Sequence, residues 1–401
     1  MGLQDFVETA VCTSPFFSLT MQDPARWKIP YKIEMNLCGG VNFIGGKSDP
    51  KIDAEAFKDV FQVSFELYLN ETTDFSDIVL PDACFLESSS FEIEYPGRVV
   101  PVGKEWSYSF RQRAISPLFK RRQAAEVILE LAERVGIRKE YYEALNGFHF
   151  REPFKLKATE KYTWEEIIDR RYRSLFGAEH GIEWFKKNGV IKWPRKVEEI
   201  YWKPFVKGRT SVYNEFLKEV ADQIQKVIEE NGLPQINLSH FQPLPDWRPC
   251  RSHQEKRGEY DLFIVWRRDS FVSQRWTHQH PWVDEICQMD PFMYNLVINT
   301  ETAKKKGLKN GDWVELTSAS TENSVKGRIQ CTEGIHPEVI AISGGGGHWA
   351  KGLPVASQPD KGVLFEWLIP LSFDQDIDMV TFSIDWCVKG KLSKLKASEK
   401  R

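Results

Sequence analysis

The chain has 401 residues, and its 54 basic and 57 acidic side chains leave a net charge of −3, which gives no electrostatic case for a nucleic-acid partner. This length has room for two or three domains. No run of 18 apolar residues occurs, so we expect no direct membrane insertion. The start, Met-Gly-Leu-Gln-Asp-Phe-Val-Glu, lacks the bases of a signal peptide and predicts a cytoplasmic protein by default, with co-export alongside a partner that carries a Tat signal as the open alternative.

The first part of the chain predicts a piece of a doubly wound α/β sheet. Strands are expected at 33–38 and 60–67, with a short helix at 52–58 between them. Residues 78–80 predict a third strand, which we expect to be buried. A complete sheet of this kind has more strands, so the chain is expected to begin in the middle of one.

The predicted secondary structure changes twice along the rest of the chain. A mixed α+β region contains predicted helices, including one that opens with the capping box Thr163-Trp164-Glu165-Glu166 and one at 213–230. From Tyr260 onward, short strands alternate with glycine turns, which predicts one β-barrel. The predicted domains are 1–87, 88–257 and 258–401.

The most informative segment runs from Asn70 to Glu87 and reads Asn-Glu-Thr-Thr-Asp-Phe-Ser-Asp-Ile-Val-Leu-Pro-Asp-Ala-Cys-Phe-Leu-Glu. It resembles the signature of the molybdopterin oxidoreductase (DMSO reductase) family, E-T-A-x-x-A-D-V-V-L-P-x-A-x-x-x-E, in spacing and residue type. Asn70 stands where that family prefers a small residue. An ordinary helix-to-strand turn is the alternative explanation.

A second block, beginning Ala-Lys-Lys-Lys-Gly-Leu-Lys-Asn-Gly-Asp-Trp-Val at Ala303, resembles the C-terminal domain of the same family. There the pattern A-x-x-x-G-I-x-D-G-D-x-V precedes a strand of a double-psi β-barrel. The strand that opens this domain usually ends in T-G-R, of which only Arg268 is kept here. Gly344–Gly347 with His348 is similar to the family's glycine-rich loop.

The resemblance implies an α/β plus all-β protein: a partial doubly wound α/β domain, a mixed α+β middle region and a C-terminal double-psi β-barrel. It implies a molybdopterin guanine dinucleotide cofactor carrying molybdenum or tungsten. Such a ligand needs close backbone N–H groups and cations at its pyrophosphates. The expected cofactor-binding residues are Gly39, Gly40, Asn42, Glu71, Thr72, Arg268, Ser270, Thr277, His278, Gln279, Gly346, His348 and Glu366.

Some of these positions depart from the family. The Gly39-Gly40 turn resembles G-G-N-P with a Val inserted and the Pro lost, and alone it is a weak signal. Glu366 stands where the family presents Asn to a guanine, and a carboxylate accepts hydrogen bonds from the guanine N1–H and N2–H. His278 and His280 would point the same way on a strand, and we favour cofactor hydrogen bonding over metal ligation.

The sequence predicts no catalytic residue and no protein ligand to the metal. Family catalytic subunits carry a cysteine cluster for a [4Fe–4S] centre and a metal ligand in the half that precedes the region matched here. We therefore expect the cluster only in a partner chain, an N-terminal half of the enzyme. A further iron–sulfur subunit for electron transfer is also expected.

Three functions remain open on the sequence. The favoured one is the dinucleotide-binding half of a split oxidoreductase that is inactive alone. The pattern Gln279-His280-Pro281-Trp282 looks closest to the thiosulfate/polysulfide reductase and phenylacetyl-CoA oxidoreductase group. The second is a non-catalytic scaffold that keeps the barrel. The third is a simple NAD-binding α/β protein, against which the lack of a G-x-G-x-x-G after a strand counts.

Overall fold

The computed structural model describes residues 14–46, 49–89, 105–194, 213–244, 246–272, 275–372, 375–381, 383–396 and 398. They fall into two compact units. The first comprises Met1–Val79 and Ser211–Arg401, and the second comprises Leu80–Thr210.

A small three-stranded sheet lies in the first part of the chain, where the sequence predicts a piece of an α/β sheet. The elements are α1 (Ser14–Gln22), β1 (Met35–Gly39), α2 (Pro50–Phe57), β2 (Phe61–Glu66), α3 (Glu71–Asp74) and β3 (Ile78–Pro81). The strand order is β1-β2-β3, and β1 pairs in parallel with β2. Helix α2 begins at Pro50, and the side chain of Asp49 caps it by accepting a hydrogen bond from the Lys51 amide.

The sheet exposes much of its apolar content. Met35 is 54% exposed, Leu37 48% and Phe61 45%. The expectation that Ile78–Leu80 forms a buried strand is wrong, because Ile78 is 44% exposed and the two residues after it are half-buried. Strand β1 ends the described sheet on one side, so its outer backbone edge has no neighbouring strand among the described residues.

The second unit is a helical layer with one strand pair. Its elements are β4 (Glu105–Ser109), α4 (Ala124–Arg134), α5 (Arg138–Asn146), α6 (Trp164–Phe176), α7 (Ile182–Asn188) and β5 (Val190–Pro194). Strands β4 and β5 are antiparallel. The predicted capping box is confirmed, because Thr163 and Glu166 exchange hydrogen bonds at the start of α6. Aromatic rings, among them Tyr172 and Phe185, fill the core.

Helices α8 (Phe216–Asn231) and α9 (Arg251–Gln254) belong to the first unit. The apolar face of α8, with Ile224 and Ile228, packs in one core with Leu371 and Met379. Residues 213–257 therefore group with the barrel and not with the predicted middle region. Although α8 has 16 residues, the described part of the chain holds no helix with the length and apolar character to cross a bilayer.

The predicted barrel is confirmed and has six strands. They are β6 (Leu262–Arg267), β7 (Leu296–Asn299), β8 (Trp313–Ser318), β9 (Ser324–Thr332), β10 (Val339–Ser343) and β11 (Cys387–Lys394). The barrel closes in the order β10-β6-β11-β8-β9-β7. Two pairs, β6–β10 and β7–β9, are parallel and the others antiparallel.

Buried residues alternate along β8, so that Val314 and Leu316 enter the core. Helices α10 (Pro281–Met289) and α11 (Thr300–Lys305) lie between strands.

Candidate functional site

A long connection follows β10, and we name residues 344–364 the β10 loop. Its glycines allow two stretches of backbone to touch. A Cβ on Gly346 would lie 2.3 Å from the Lys361 carbonyl oxygen, and a Cβ on Gly347 would lie 2.3 Å from the Leu364 nitrogen. Gly347 also has a φ of +71°. Close backbone packing therefore accounts for these glycines.

Glu71, at the start of α3, binds the β10 loop. The carboxylate is fully buried, and its Oε1 accepts hydrogen bonds from the backbone N–H groups of Trp349 at 2.9 Å and Ala350 at 3.1 Å. Its Oε2 lies 2.9 Å from His348 Nδ1 and accepts a 2.5 Å hydrogen bond from Asn42 Nδ2. Both oxygens are thus engaged by the protein itself.

These contacts keep Glu71 ionised. Burial alone would raise its pKa, but the hydrogen bond and charge interaction with His348, with the Ala350 amide and Asn42, outweigh burial. The pKa of Glu71 falls from 4.5 to about 2. The site therefore contains a buried negative charge at neutral pH.

Asn42 connects the turn after β1 to α3. Its Oδ1 accepts hydrogen bonds from the Thr72 amide at 3.1 Å and the Thr72 hydroxyl at 3.0 Å. The chain reaches Asn42 through Gly40, whose φ of +65° suits glycine. The structure thus gathers the predicted residues Asn42, Glu71, Thr72 and His348 into one cluster, which we name the Glu71 cluster.

Gln279 holds the same loop at a second point. Its Oε1 accepts hydrogen bonds from the amides of Val355 at 2.9 Å and Ala356 at 3.3 Å. The side chain is buried, and Nε2 has no hydrogen-bond partner among the described residues. A buried amide donor in this state is a candidate to bind a ligand.

A cavity of about 560 Å³ lies against the β10 loop, and its lining includes His348, Trp349, Gln358, Lys326 and Trp367. The two indole rings meet edge to face with centroids 6.1 Å apart. Nε2 of His348 is buried and has no hydrogen-bond partner within the described part of the chain. It accepts a hydrogen bond when the ring is neutral and donates one when the ring is protonated.

Comparison with known proteins identifies the region. The family described as the molydopterin dinucleotide binding domain matches residues 268–365, which include Gln279 and the whole β10 loop. A selenate reductase subunit from Mesobacillus selenatarsenatis is 21% identical over 372 residues, covering 80% of this chain and 35% of that protein. The chain is therefore similar, above all in its C-terminal region, to catalytic subunits of the molybdopterin oxidoreductase (DMSO reductase) family. That is a family of redox enzymes.

Two further proteins extend the comparison. The thiosulfate reductase molybdopterin-containing subunit of Salmonella typhimurium is 20% identical over 292 residues, covering 70% of this chain and 33% of its own length. The structure of acetylene hydratase from Pelobacter acetylenicus matches with a TM-score of 0.63 and 17% identity, over 95% of this chain and 46% of that one. The chain thus spans about a third of the length of the selenate and thiosulfate reductase subunits.

Not every residue predicted from the family resemblance lies in the Glu71 cluster. Arg268 and Ser270 are exposed after β6. Glu366 is buried in a 3-10 helix at Phe365–Leu368. Thr277 is half-buried in the 3-10 helix Arg275–Gln279. Gly39, at the end of β1, is exposed.

His278 and His280 do not lie on a strand, because the 3-10 helix Arg275–Gln279 ends just before His280. His278 is buried, with its ring centroid 5.9 Å from that of Tyr294, whereas His280 is exposed. The two rings therefore do not share a surface. Within the described residues, no three His, Cys, Asp or Glu side chains are grouped as a metal site requires.

Sequence reasoning missed a buried ion pair near this region. Lys361 Nζ lies 2.7 Å from Asp284 Oδ1 and 5.0 Å from the centre of the Tyr294 ring. Burial would raise the pKa of Asp284, but the hydrogen bonds from Lys361 and Tyr294 lower it overall. No local pattern marks the pair, because its members lie 77 residues apart.

Proposed function

We propose that the chain forms the molybdopterin guanine dinucleotide-binding portion of a molybdenum or tungsten oxidoreductase and does not supply the metal's protein ligand. The observation that supports this most is the β10 loop. It lies inside the family match, and Glu71 and Gln279 hold it at two points. A ligand that spans the α/β piece and the barrel would use the loop as its common wall.

The residues present suit such a ligand. His348 Nε2 and Gln279 Nε2 are buried polar atoms without a described partner, and the cavity beside His348 offers two indole rings and Lys326. Indole faces stack on planar rings, and a lysine binds phosphate as a point charge. We propose that these groups, with Arg268 and the Gly39-Gly40 turn, bind the nucleotide ends of the cofactor. When bound, the metal supplies the electron exchange with substrate.

We further propose that an N-terminal half of the enzyme, as a separate chain, covers the exposed face of the small sheet. The support is the exposure of Met35, Leu37 and Phe61 beside the outer edge of β1. Exposed apolar side chains on a sheet edge mark an interaction surface. The [4Fe–4S] cluster belongs to that half in this proposal, and an iron–sulfur subunit carries the electrons onward.

The barrel is proposed to be a double-psi barrel. Parallel pairing of β6 with β10 and of β7 with β9, in an otherwise antiparallel barrel, supports this topology. For substrate, we propose a sulfur compound of the thiosulfate or polysulfide kind, with phenylacetyl-CoA oxidoreductase-like chemistry as the alternative. The match to a thiosulfate reductase subunit supports the first.

The test is the molybdenum or tungsten and guanine-nucleotide content of the chain purified with its partner half. Arg268→Ala should weaken cofactor retention by about 2 kcal/mol, or about 30-fold, the scale of a charge-assisted hydrogen bond. Arg328→Ala is the matched control, because Arg328 is also exposed and stacks 5.3 Å from Trp313. Gly40→Val should act like Arg268→Ala, since φ at Gly40 is +65°.

Unchanged occupancy in both Arg268→Ala and Gly40→Val would refute this cofactor site. The second candidate function is a non-catalytic scaffold that keeps the cofactor-binding barrel. Full cofactor content without turnover, measured with a reduced dye as electron donor and thiosulfate, polysulfide or another oxidised substrate, would favour the scaffold. Turnover that requires both chains would favour the split enzyme.

A further inference from the structure

A second large cavity lies in the first unit, away from the β10 loop. It has a volume of about 1070 Å³, and its polar lining includes Cys250, Arg251, Ser252, Asp376, Asp378 and Asp385. Among the described residues that line it, none is a proposed cofactor-binding residue. The segment before β6 and the segment before β11 form most of its wall.

Two cysteine sulfurs contact the hydroxyl of Ser252, a residue that lines this cavity. Cys250 Sγ lies 2.7 Å from Ser252 Oγ, and Ser252 Oγ donates to Cys387 Sγ at 3.7 Å. Both cysteines are half-buried and neither is in a disulfide, while Ser252 is 2% exposed. The shared hydroxyl places the two sulfurs within about 6.4 Å of each other, the sum of these two distances.

The two thiols differ in their neighbours. Cys250 Sγ lies 2.9 Å from Nδ1 of His253, a ring nitrogen that can accept the thiol proton. The His253 ring is held between Trp247 at 5.8 Å and Phe263 at 5.5 Å. For Cys387, burial raises the pKa of the thiol.

Three aspartates and an arginine line the same cavity as Cys250. Asp385, Asp376 and Asp378 face this part of the cavity, and Arg251 forms an ion pair with Asp376 at 3.1 Å. Burial, followed by the two other aspartates, raises the pKa of Asp385, and His253 opposes that rise. On β11, Lys389 lowers the pKa of Cys387 but does not cancel the effect of burial.

We propose that Cys250 is a nucleophilic, oxidation-sensitive thiol and that Cys387 is its resolving thiol. With a peroxide as oxidant, His253 takes the proton of Cys250, and the thiolate attacks one peroxide oxygen. The O–O bond breaks, Cys250 becomes a sulfenic acid, and the departing hydroxide leaves as water with the proton from His253. The Cys387 thiol then displaces the sulfenic hydroxyl as a second water, and a Cys250–Cys387 disulfide forms.

This reaction joins the segment ahead of β6 to the first residue of β11. Overall, two thiols and one hydrogen peroxide give one disulfide and two waters, so the step requires no other co-reactant. A thiol reductant reverses it. The cavity thereby becomes a redox-modification site that is separate from the cofactor site.

The test uses the full chain in its cofactor-loaded complex. Alkylation by iodoacetamide at pH 6.5, followed by mass spectrometry, should modify Cys250 at least about tenfold faster than Cys331, a half-buried barrel thiol whose pKa burial raises. His253→Gln should slow Cys250 alkylation about tenfold at pH 6.5 and leave it unchanged near pH 9, where hydroxide in solution can take the thiol proton. A loss that is equal at both pH values would mean a purely structural role for His253 and would overturn its assignment.

Peroxide treatment should give a peptide pair linked between Cys250 and Cys387 that dithiothreitol releases. Cys250→Ser should abolish the linked pair, while Cys331→Ser should leave it intact. Alkylation of Cys250 no faster than that of Cys331 would overturn the proposal. So would a peroxide-treated protein in which both thiols stay free or in which Cys250 pairs with another cysteine.

Discussion

Glu71 and Glu87 stand at the two ends of the same family signature, yet the hydrogen-bond partners of Glu71 lie much farther away along the chain than those of Glu87. Glu71 binds His348 and the amides of Trp349 and Ala350, which lie 277 to 279 residues away. Glu87, also fully buried, binds partners no more than 34 residues away. These partners are the amides of Cys84 and Leu118 and the guanidinium of Arg121.

The hydrogen bonds of Glu71 and Glu87 explain why the signature has a carboxylate at each end. Each carboxylate satisfies backbone N–H groups that have no strand or helix partner, a role that a neutral apolar residue cannot fill. Burial would raise the pKa of Glu87, but the amides of Leu118 and Cys84 lower it overall. Glu71 holds the β10 loop, which is a wall of the proposed cofactor site. Glu87 holds only nearby segments of the second unit together. Their removal should therefore have different consequences.

The largest effect is expected for Glu71→Ala. The change leaves Asn42 Nδ2, His348 Nδ1 and two backbone amides without their acceptor in a buried site. We expect a loss of about 4 kcal/mol in the free energy of unfolding, together with loss of cofactor. Chemical denaturation and metal content of the purified complex are the measurements.

Glu71→Gln is the control for shape, since it keeps one acceptor oxygen. It should retain more stability and more cofactor than Glu71→Ala. If the free energy of unfolding of Glu71→Ala lies within about 0.5 kcal/mol of the wild-type value, which is the scale of a surface substitution, the Glu71 cluster does not hold the loop.

Glu87→Ala should lower the free energy of unfolding by about 3 kcal/mol, which is less than for Glu71→Ala. The loss is smaller because the side chain of its ion-pair partner Arg121 is 27% exposed and can be hydrated. Hydrogen exchange at the amides of Cys84 and Leu118 should rise. Cofactor content of the folded protein should not change. If Glu87→Ala empties the cofactor site as Glu71→Ala does, the proposed difference between the two carboxylates is wrong.

The sequence predicted those parts of the fold that local patterns determine. Alternation along Trp313–Ser318 and the Asn310-Gly311-Asp312 turn before it indicate a barrel strand without knowledge of distant residues. The contact between Glu71 and His348 has no such local signal, because it depends on how two parts of the chain fold together. The family resemblance named both residues but not their contact, and periodicity gave no warning of the 3-10 helix Arg275–Gln279.

Acid should weaken the Glu71 cluster selectively. The pKa of Glu71 is about 2 in the folded chain against an ordinary 4.5, so its stabilisation is present above pH 4.5 and is lost as the pH falls through 2. Between pH 7 and pH 3, the wild type should lose about 2 kcal/mol more unfolding free energy than Glu71→Gln. The lowered pKa of Glu87 acts in the same direction in both proteins and cancels in the difference. Equal slopes against pH would show that Glu71 is not held ionised.

The smallest effect is expected at Gln279, the second holder of the β10 loop. Gln279→Leu removes the acceptor of the Val355 and Ala356 amides, which should cost about 1–2 kcal/mol and speed hydrogen exchange at those two amides. Gln279→Glu keeps an acceptor oxygen but removes the Nε2 donor that has no partner among the described residues. If that donor binds the cofactor, Gln279→Glu should lower cofactor retention while the two amides stay protected. If cofactor retention falls only in Gln279→Leu, then Gln279 holds the loop but does not bind the cofactor. Its role would then be purely structural, like that of Glu87 in the second unit.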